Sequence, residues 1–125
     1  MSLKEIREYL LNWVNSQKWE GKGFYSIPIQ QFVYFTKAGF KHTINKTYRY
    51  PKIELLLTEH IMEILPNSKF INFEKDKLGR ENVNGVYNYY AVVFYKEEYY
   101  EVWFKVKSTR DKTFFYDHGI IKKLE

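Results

Sequence analysis

Two runs of strand-forming residues, Val86 to Tyr95 and Tyr99 to Lys107, are separated only by Lys96-Glu97-Glu98, and this pairing constrains the fold more than any other feature of the chain. A connection that short joins antiparallel neighbours, so the two runs predict a β-hairpin. In the second run Tyr100, Val102, Phe104 and Val106 alternate with Glu101, Trp103, Lys105 and Lys107. Side chains alternate between the faces of a strand, so one face should be buried and the other should present positive charge. Phe70 to Phe73 predicts a shorter strand upstream, Asp76 to Asn84 a polar connection, and Thr113 to Ile121 a last strand. Tyr87, Tyr89, Tyr90, Tyr95, Tyr99 and Tyr100 fall within these strands, where aromatic residues serve packing.

The first half of the chain has a different period. Leu3, Ile6, Tyr9, Leu10, Trp13 and Val14 recur at helical spacing, and Ser2 with Glu5 forms an S-x-x-E capping box at the start of that helix. Gly21-Lys22-Gly23 interrupts it, and Ile27 to Phe35 reads as a short extended or helical connector. The polar stretch Lys41 to Tyr50 shows no sustained period and predicts a surface loop. Pro51 then suits the first turn of a second helix, whose apolar face is Ile53, Leu56, Leu57, Ile61, Ile64 and Leu65 up to Pro66-Asn67-Ser68. Helices followed by strands give an α+β fold, with N-terminal helices packed on an antiparallel sheet of about four strands. The 125 residues suit a single domain, 1–125, with an N-terminal helical region over 1–35 and a core over 36–121.

Composition removes several kinds of chemistry. Without cysteine there is no disulfide framework, no thiolate metal site and no cysteine nucleophile. Apolar stretches such as Ile53 to Leu65 carry acids and fall short of the roughly 20 residues a membrane span needs. No basic start followed by an apolar run marks a secretory signal, so a soluble, cytoplasmic protein without membrane association is expected. A serine-hydrolase elbow and a phosphate-binding P-loop both lack their signatures. Asp occurs only at positions 76, 111 and 117, and no familiar metal-ligand spacing appears, so neither a catalytic metal nor another cofactor is expected.

The formal net charge of +5 is unevenly spread. Between Gly21 and Ile53 lie six bases, Lys22, Lys37, Lys41, Lys46, Arg49 and Lys52, and no acid. Tyr48 and Tyr50 interleave with them, a mixture that holds a phosphate backbone and stacks an exposed base. A second basic cluster, Lys105, Lys107, Arg110 and Lys112, lies toward the C-terminus. If the sheet joins the two clusters, they form a basic groove in which Thr43, Lys46, Tyr48, Lys52, Lys105, Lys107 and Arg110 contact RNA.

Of the three histidines, His60 sits mid-helix and reads as structural, whereas His42 follows Lys41 in the acid-free window and His118 closes Tyr116-Asp117-His118. Imidazole exchanges protons near neutral pH, so a pair of histidines suits acid–base cleavage of a phosphodiester. In RNA the 2′-hydroxyl is an internal nucleophile, and that first step needs no metal. Lys41 or Arg49 would stabilise the charge developing on phosphorus, and Thr109 and Tyr116 would add hydrogen bonds. Such a site requires His42 and His118 to lie within about 12 Å of each other, since both must reach one substrate.

Gly39-Phe40-Lys41-His42-Thr43-Ile44, a helix running from Leu55-Leu56-Leu57 to Glu63-Ile64-Leu65, the run Tyr99 to Lys107, and Phe115-Tyr116-Asp117-His118 together resemble the phage-associated nuclease domains of the barnase, EndoU, colicin and RelE-like group. The resemblance covers residues 36 to 121. Its G-x-K-H-[ST] start matches at Gly39, Lys41, His42 and Thr43, with Thr where many members have Ser. It implies N-terminal helices on a four-stranded antiparallel sheet and a metal-independent ribonuclease of the toxin or phage-effector kind. The expected partners are RNA, with transfer RNA as one candidate, and an acidic immunity or antitoxin protein. The alternatives are a binding module that does not cleave, or an interaction domain for an acidic protein.

Overall fold

The computed structural model describes residues 2–46, 56–80 and 82–125. Helix α1, Leu3–Ser16, begins at the expected capping box: the Ser2 hydroxyl accepts from the Glu5 amide, and the Glu5 carboxylate accepts from the Ser2 amide. Ile6, Leu10 and Val14 form its buried stripe.

Ile27 to Phe35, expected to be a short extended or helical connector, contains the turn and second strand of a hairpin formed by β1, Gly23–Ser26, and β2, Gln31–Tyr34. Strands of four residues are too short to display a period in sequence. Only Ser26 and Val33 within them are fully buried. The region 1–35 therefore supplies one helix and two strands of the same sheet that holds the later ones.

Of the stretch Lys41 to Tyr50 expected as a loop, the described part, Lys41 to Lys46, belongs to helix α2, Lys37–Lys46. Thr36 starts it, its carbonyl accepting from the Phe40 amide and its hydroxyl from the Gly39 amide. The inward face of α2 is Gly39, Phe40, Thr43 and Ile44, a set half of which looks like loop in sequence. Farther on, Leu57, Ile61 and Leu65 are buried one helical turn apart, as the periodicity requires. The helix is broken all the same: a 3₁₀ turn over Leu57–His60, the short α3 over Ile61–Ile64, and a second 3₁₀ turn over Leu65–Asn67 that contains Pro66. The expected start of this helix at Pro51 lies outside the described residues.

Strands β3, Lys69–Lys75, β4, Val83–Tyr95, β5, Glu98–Thr109, and β6, Phe114–Lys123, form an antiparallel meander. The β4–β5 hairpin is the one foreseen, but its turn is only Lys96-Glu97, both at positive φ, with Glu98 already paired to Tyr95. Two left-handed residues match the right-handed twist of the strands they join. Tyr100, Val102, Phe104 and Val106 are buried, as the alternation predicts.

Among the described residues the sheet has six strands instead of about four, in the order β1-β2-β6-β5-β4-β3, and β2 runs parallel to β6. It curls until the Ser26 hydroxyl on β1 meets the Tyr89 hydroxyl on β4 at 2.6 Å. The inner face holds the core, including Tyr89, Phe104, Tyr116 and Ile121, together with Phe40 and Ile44 from α2.

Among the described residues, strand β2 reaches β6 only at Phe114 and Phe115, and no strand continues that edge. Helix α2 covers it. The Thr36 hydroxyl donates to the Tyr116 carbonyl at 3.2 Å, and the Gly119 amide donates to the Thr43 hydroxyl at 2.9 Å. Gly39 permits the approach, since a Cβ there would stand 2.2 Å from the Tyr116 carbonyl oxygen. His42 is thereby brought to the rim of the sheet.

Candidate active site

The register of β5 with β6 shifts by one residue: Val106 faces Tyr116 and Lys105 faces His118, so Asp117 is a β-bulge. Tyr116 points into the core. Asp117 and His118 both serve the opposite, outer face, where an unbroken strand would have sent one of them inward.

The Asp117 carboxylate organises what surrounds it. Its Oδ2 lies 2.6 Å from His118 Nδ1 and 3.4 Å from His42 Nδ1, and its Oδ1 accepts from Lys107 Nζ at 3.1 Å. Burial pushes the Asp117 pKa up, but the bonds from His118 and Lys107 outweigh it and bring it down to about 2. An ionised carboxylate is an acceptor only, so a bonded Nδ1 carries its hydrogen. The two rings are 4.6 Å apart between centroids, well inside the limit set by a shared substrate.

A polar row extends across the outer face from this centre. In register, Asn72, Asn88, Lys105 and His118 stand side by side on β3, β4, β5 and β6. Lys105 donates to Asn88 Oδ1, and Asn88 Nδ2 donates to Asn72 Oδ1 at 2.7 Å. Arg80, held by Asp76 through bonds of 3.1 and 2.8 Å, also lies within the field of Asp117.

Other expected site residues are placed differently. Thr43 and Tyr116 are wholly buried and hydrogen-bonded to each other, so they support the site from inside the core and cannot touch RNA. The Thr43 hydroxyl donates to the Gly39 carbonyl at 2.9 Å, which leaves Tyr116 as donor to Thr43. Burial also raises the Tyr116 pKa, keeping it a neutral donor. Thr109 and Arg110 lie at the β5–β6 turn, where Thr109 bonds Asp111 and Thr113. Thr109 is two residues beyond Lys107, roughly 7 Å along the strand, and its hydroxyl is engaged within the turn. Lys41 precedes His42 on α2 and is turned about 100° away around the helix. Lys46 ends α2, and Tyr48, Arg49 and Lys52 lie outside the described residues. Lys105 and Lys107 are where the alternation put them. Asp117, Asn88 and Arg80 were not anticipated as site residues; Asp117 had a signal in its position beside His118, but regular alternation separates such neighbours.

His42, Asp117 and His118 also offer ligand atoms within 4.8 Å of one another, a set that could hold a metal ion. A dication there would have to displace the bonds to Asp117 and sit beside the Lys107 ammonium.

A family model described as large polyvalent protein-associated domain 3 matches residues 1–116. The chain belongs to that family. Membership supports the phage-associated character expected from the sequence and assigns no activity. No curated protein and no solved structure matches the chain. Among the described residues, no helix is long and apolar enough to cross a membrane.

Proposed function

We propose that the protein is a metal-independent endoribonuclease whose acid–base pair is His42 and His118. The observation that carries this reading is the meeting of two imidazoles, far apart in sequence, on one ionised carboxylate with Lys107 on its other oxygen. One imidazole takes the proton of the RNA 2′-hydroxyl as the 2′-oxygen bonds to phosphorus. Lys107 and Lys105 offset the negative charge that develops on the phosphoryl oxygens. The bond from phosphorus to the 5′-oxygen breaks, and the other imidazole, protonated beforehand, gives that oxygen its proton. The products are a 2′,3′-cyclic phosphate and a 5′-hydroxyl. Asp117 orients the rings and stabilises the imidazolium as it forms.

Incubation with RNA in EDTA tests the reading. Cleavage to 2′,3′-cyclic phosphate ends is expected, with activity lost in His42→Ala and in His118→Ala. Intact RNA at equimolar protein, or full activity in either variant, overturns it. Salt-dependent RNA binding that ignores both substitutions, without cleavage, identifies a binding module instead.

A further inference from the structure

One strand step from the polar row, the outer face becomes aromatic. Trp103 precedes Lys105 by two residues on β5, which places it about 7 Å away on the same face. It stands between Tyr90 on β4 and Ile120 on β6 in register, with the Tyr90 and Trp103 rings 4.7 Å apart. Phe94 and Tyr99 form a second pair at 4.9 Å toward the hairpin tip, and they are 62% and 57% exposed. The sheet packs its core on the other face, so these rings lie outside it.

The geometry points to a base-stacking platform for single-stranded RNA, centred on Trp103 and Tyr90 and continuous with the lysine and histidine row. This rests on the ribonuclease reading for its substrate. Aromatic faces stack any exposed base, while adjacent cations hold the backbone. Charge in the flanking rows agrees: Lys69, Lys105 and Lys122 stand beside the platform, and its acid, Glu101, accepts from the Tyr90 hydroxyl at 3.0 Å. A strand whose phosphate sits against Lys105 and His118 would set a neighbouring base over Trp103. Duplex RNA hides its bases and loses that contact.

The test uses the full chain and fluorescently labelled 2′-O-methyl oligonucleotides, which lack the nucleophile and stay intact. Three are compared: a single strand, its duplex, and an abasic strand of the same length and charge. Trp103→Ala should weaken single-strand binding about tenfold or more, change abasic binding little, and reduce the preference for single strand over duplex. Trp103→Phe should restore most of the affinity. Equal loss on the base-carrying and abasic strands, or no loss on either, overturns the platform. If Trp103→Ala does not fold, Tyr90→Ala is read by the same criteria. Self-association of the wild type through this face, without oligonucleotide binding, also overturns it and assigns the patch to a second copy. Base-dependent binding through Trp103 in a protein that cleaves no RNA sustains the platform and rejects the nuclease; cleavage with binding indifferent to Trp103 does the reverse.

Discussion

Asp117 and His118 are consecutive in the chain and bonded to each other across 2.6 Å on the same side of the sheet, a contact made by the bulge that leaves Asp117 unpaired between Tyr116 and His118. Through its second oxygen and its longer contact to His42, the same carboxylate reaches groups from β5 and α2. The cluster is therefore built around one carboxylate that draws on β5, β6 and α2.

Asp117→Asn is expected to keep the fold near neutral pH and to cut RNA cleavage by roughly 100- to 10,000-fold, as when an acid–base histidine loses the carboxylate that orients it. An amide cannot accept from both imidazoles and Lys107 as the carboxylate does. The loss should fall on kcat more than on KM, because Asp117 acts through the rings. Steady-state kinetics on a short RNA make the distinction; an unchanged kcat would remove Asp117 from the site.

Acid stability depends on the same carboxylate. Its pKa of about 2 in the folded chain lies below the ordinary value of about 3.9, so the unfolded state binds its proton first as pH falls. The stabilisation is complete above the unfolded value and is lost between about pH 4 and pH 2, on the order of 2 kcal/mol. Lys107→Met removes one of the groups that depress the pKa. Urea titrations should then show a smaller acid loss in Lys107→Met, starting at the same pH as in wild type but levelling off at a higher one, with a smaller difference in the Asp117→Asn background.

Much of this arrangement was readable in the chain. The alternation from Tyr100 to Lys107 placed Lys105 and Lys107 on the outer face, and the helical spacing of Ile6, Leu10 and Val14 located α1. The helix that carries His42 was not readable, because Gly39 and Thr43 are buried through close backbone approach and hydrogen bonding and not through apolar character. Tyr116 looked like a site residue by its neighbours in sequence, yet strand geometry sends it inward. The position of Asp117 depends on a register shift that leaves no trace in residue type.

Gly39→Ala tests how α2 is held. The added methyl would stand 2.2 Å from the Tyr116 carbonyl oxygen, a backbone atom that cannot rotate away, so the helix must move off the sheet edge. Helix propensity favours alanine over glycine by about 1 kcal/mol, but overpacking of this kind costs about 1–3 kcal/mol. A net loss of stability is expected in thermal unfolding, with a larger loss of cleavage, because displacement of α2 carries His42 away from Asp117. Wild-type stability with wild-type activity would show that the helix docks in some other way.

The pH dependence of cleavage separates acid–base chemistry from simple electrostatic capture. One histidine must be neutral and the other protonated, so kcat/KM in EDTA should be bell-shaped. Lys105→Met should lower kcat/KM and reduce the dependence of RNA binding on salt by about one counterion, while leaving the bell shape intact. In either histidine variant the residual rate should lose one limb of the profile. A profile that stays flat from pH 5 to 8 in the wild type would mean that these imidazoles do not exchange the protons of the reaction.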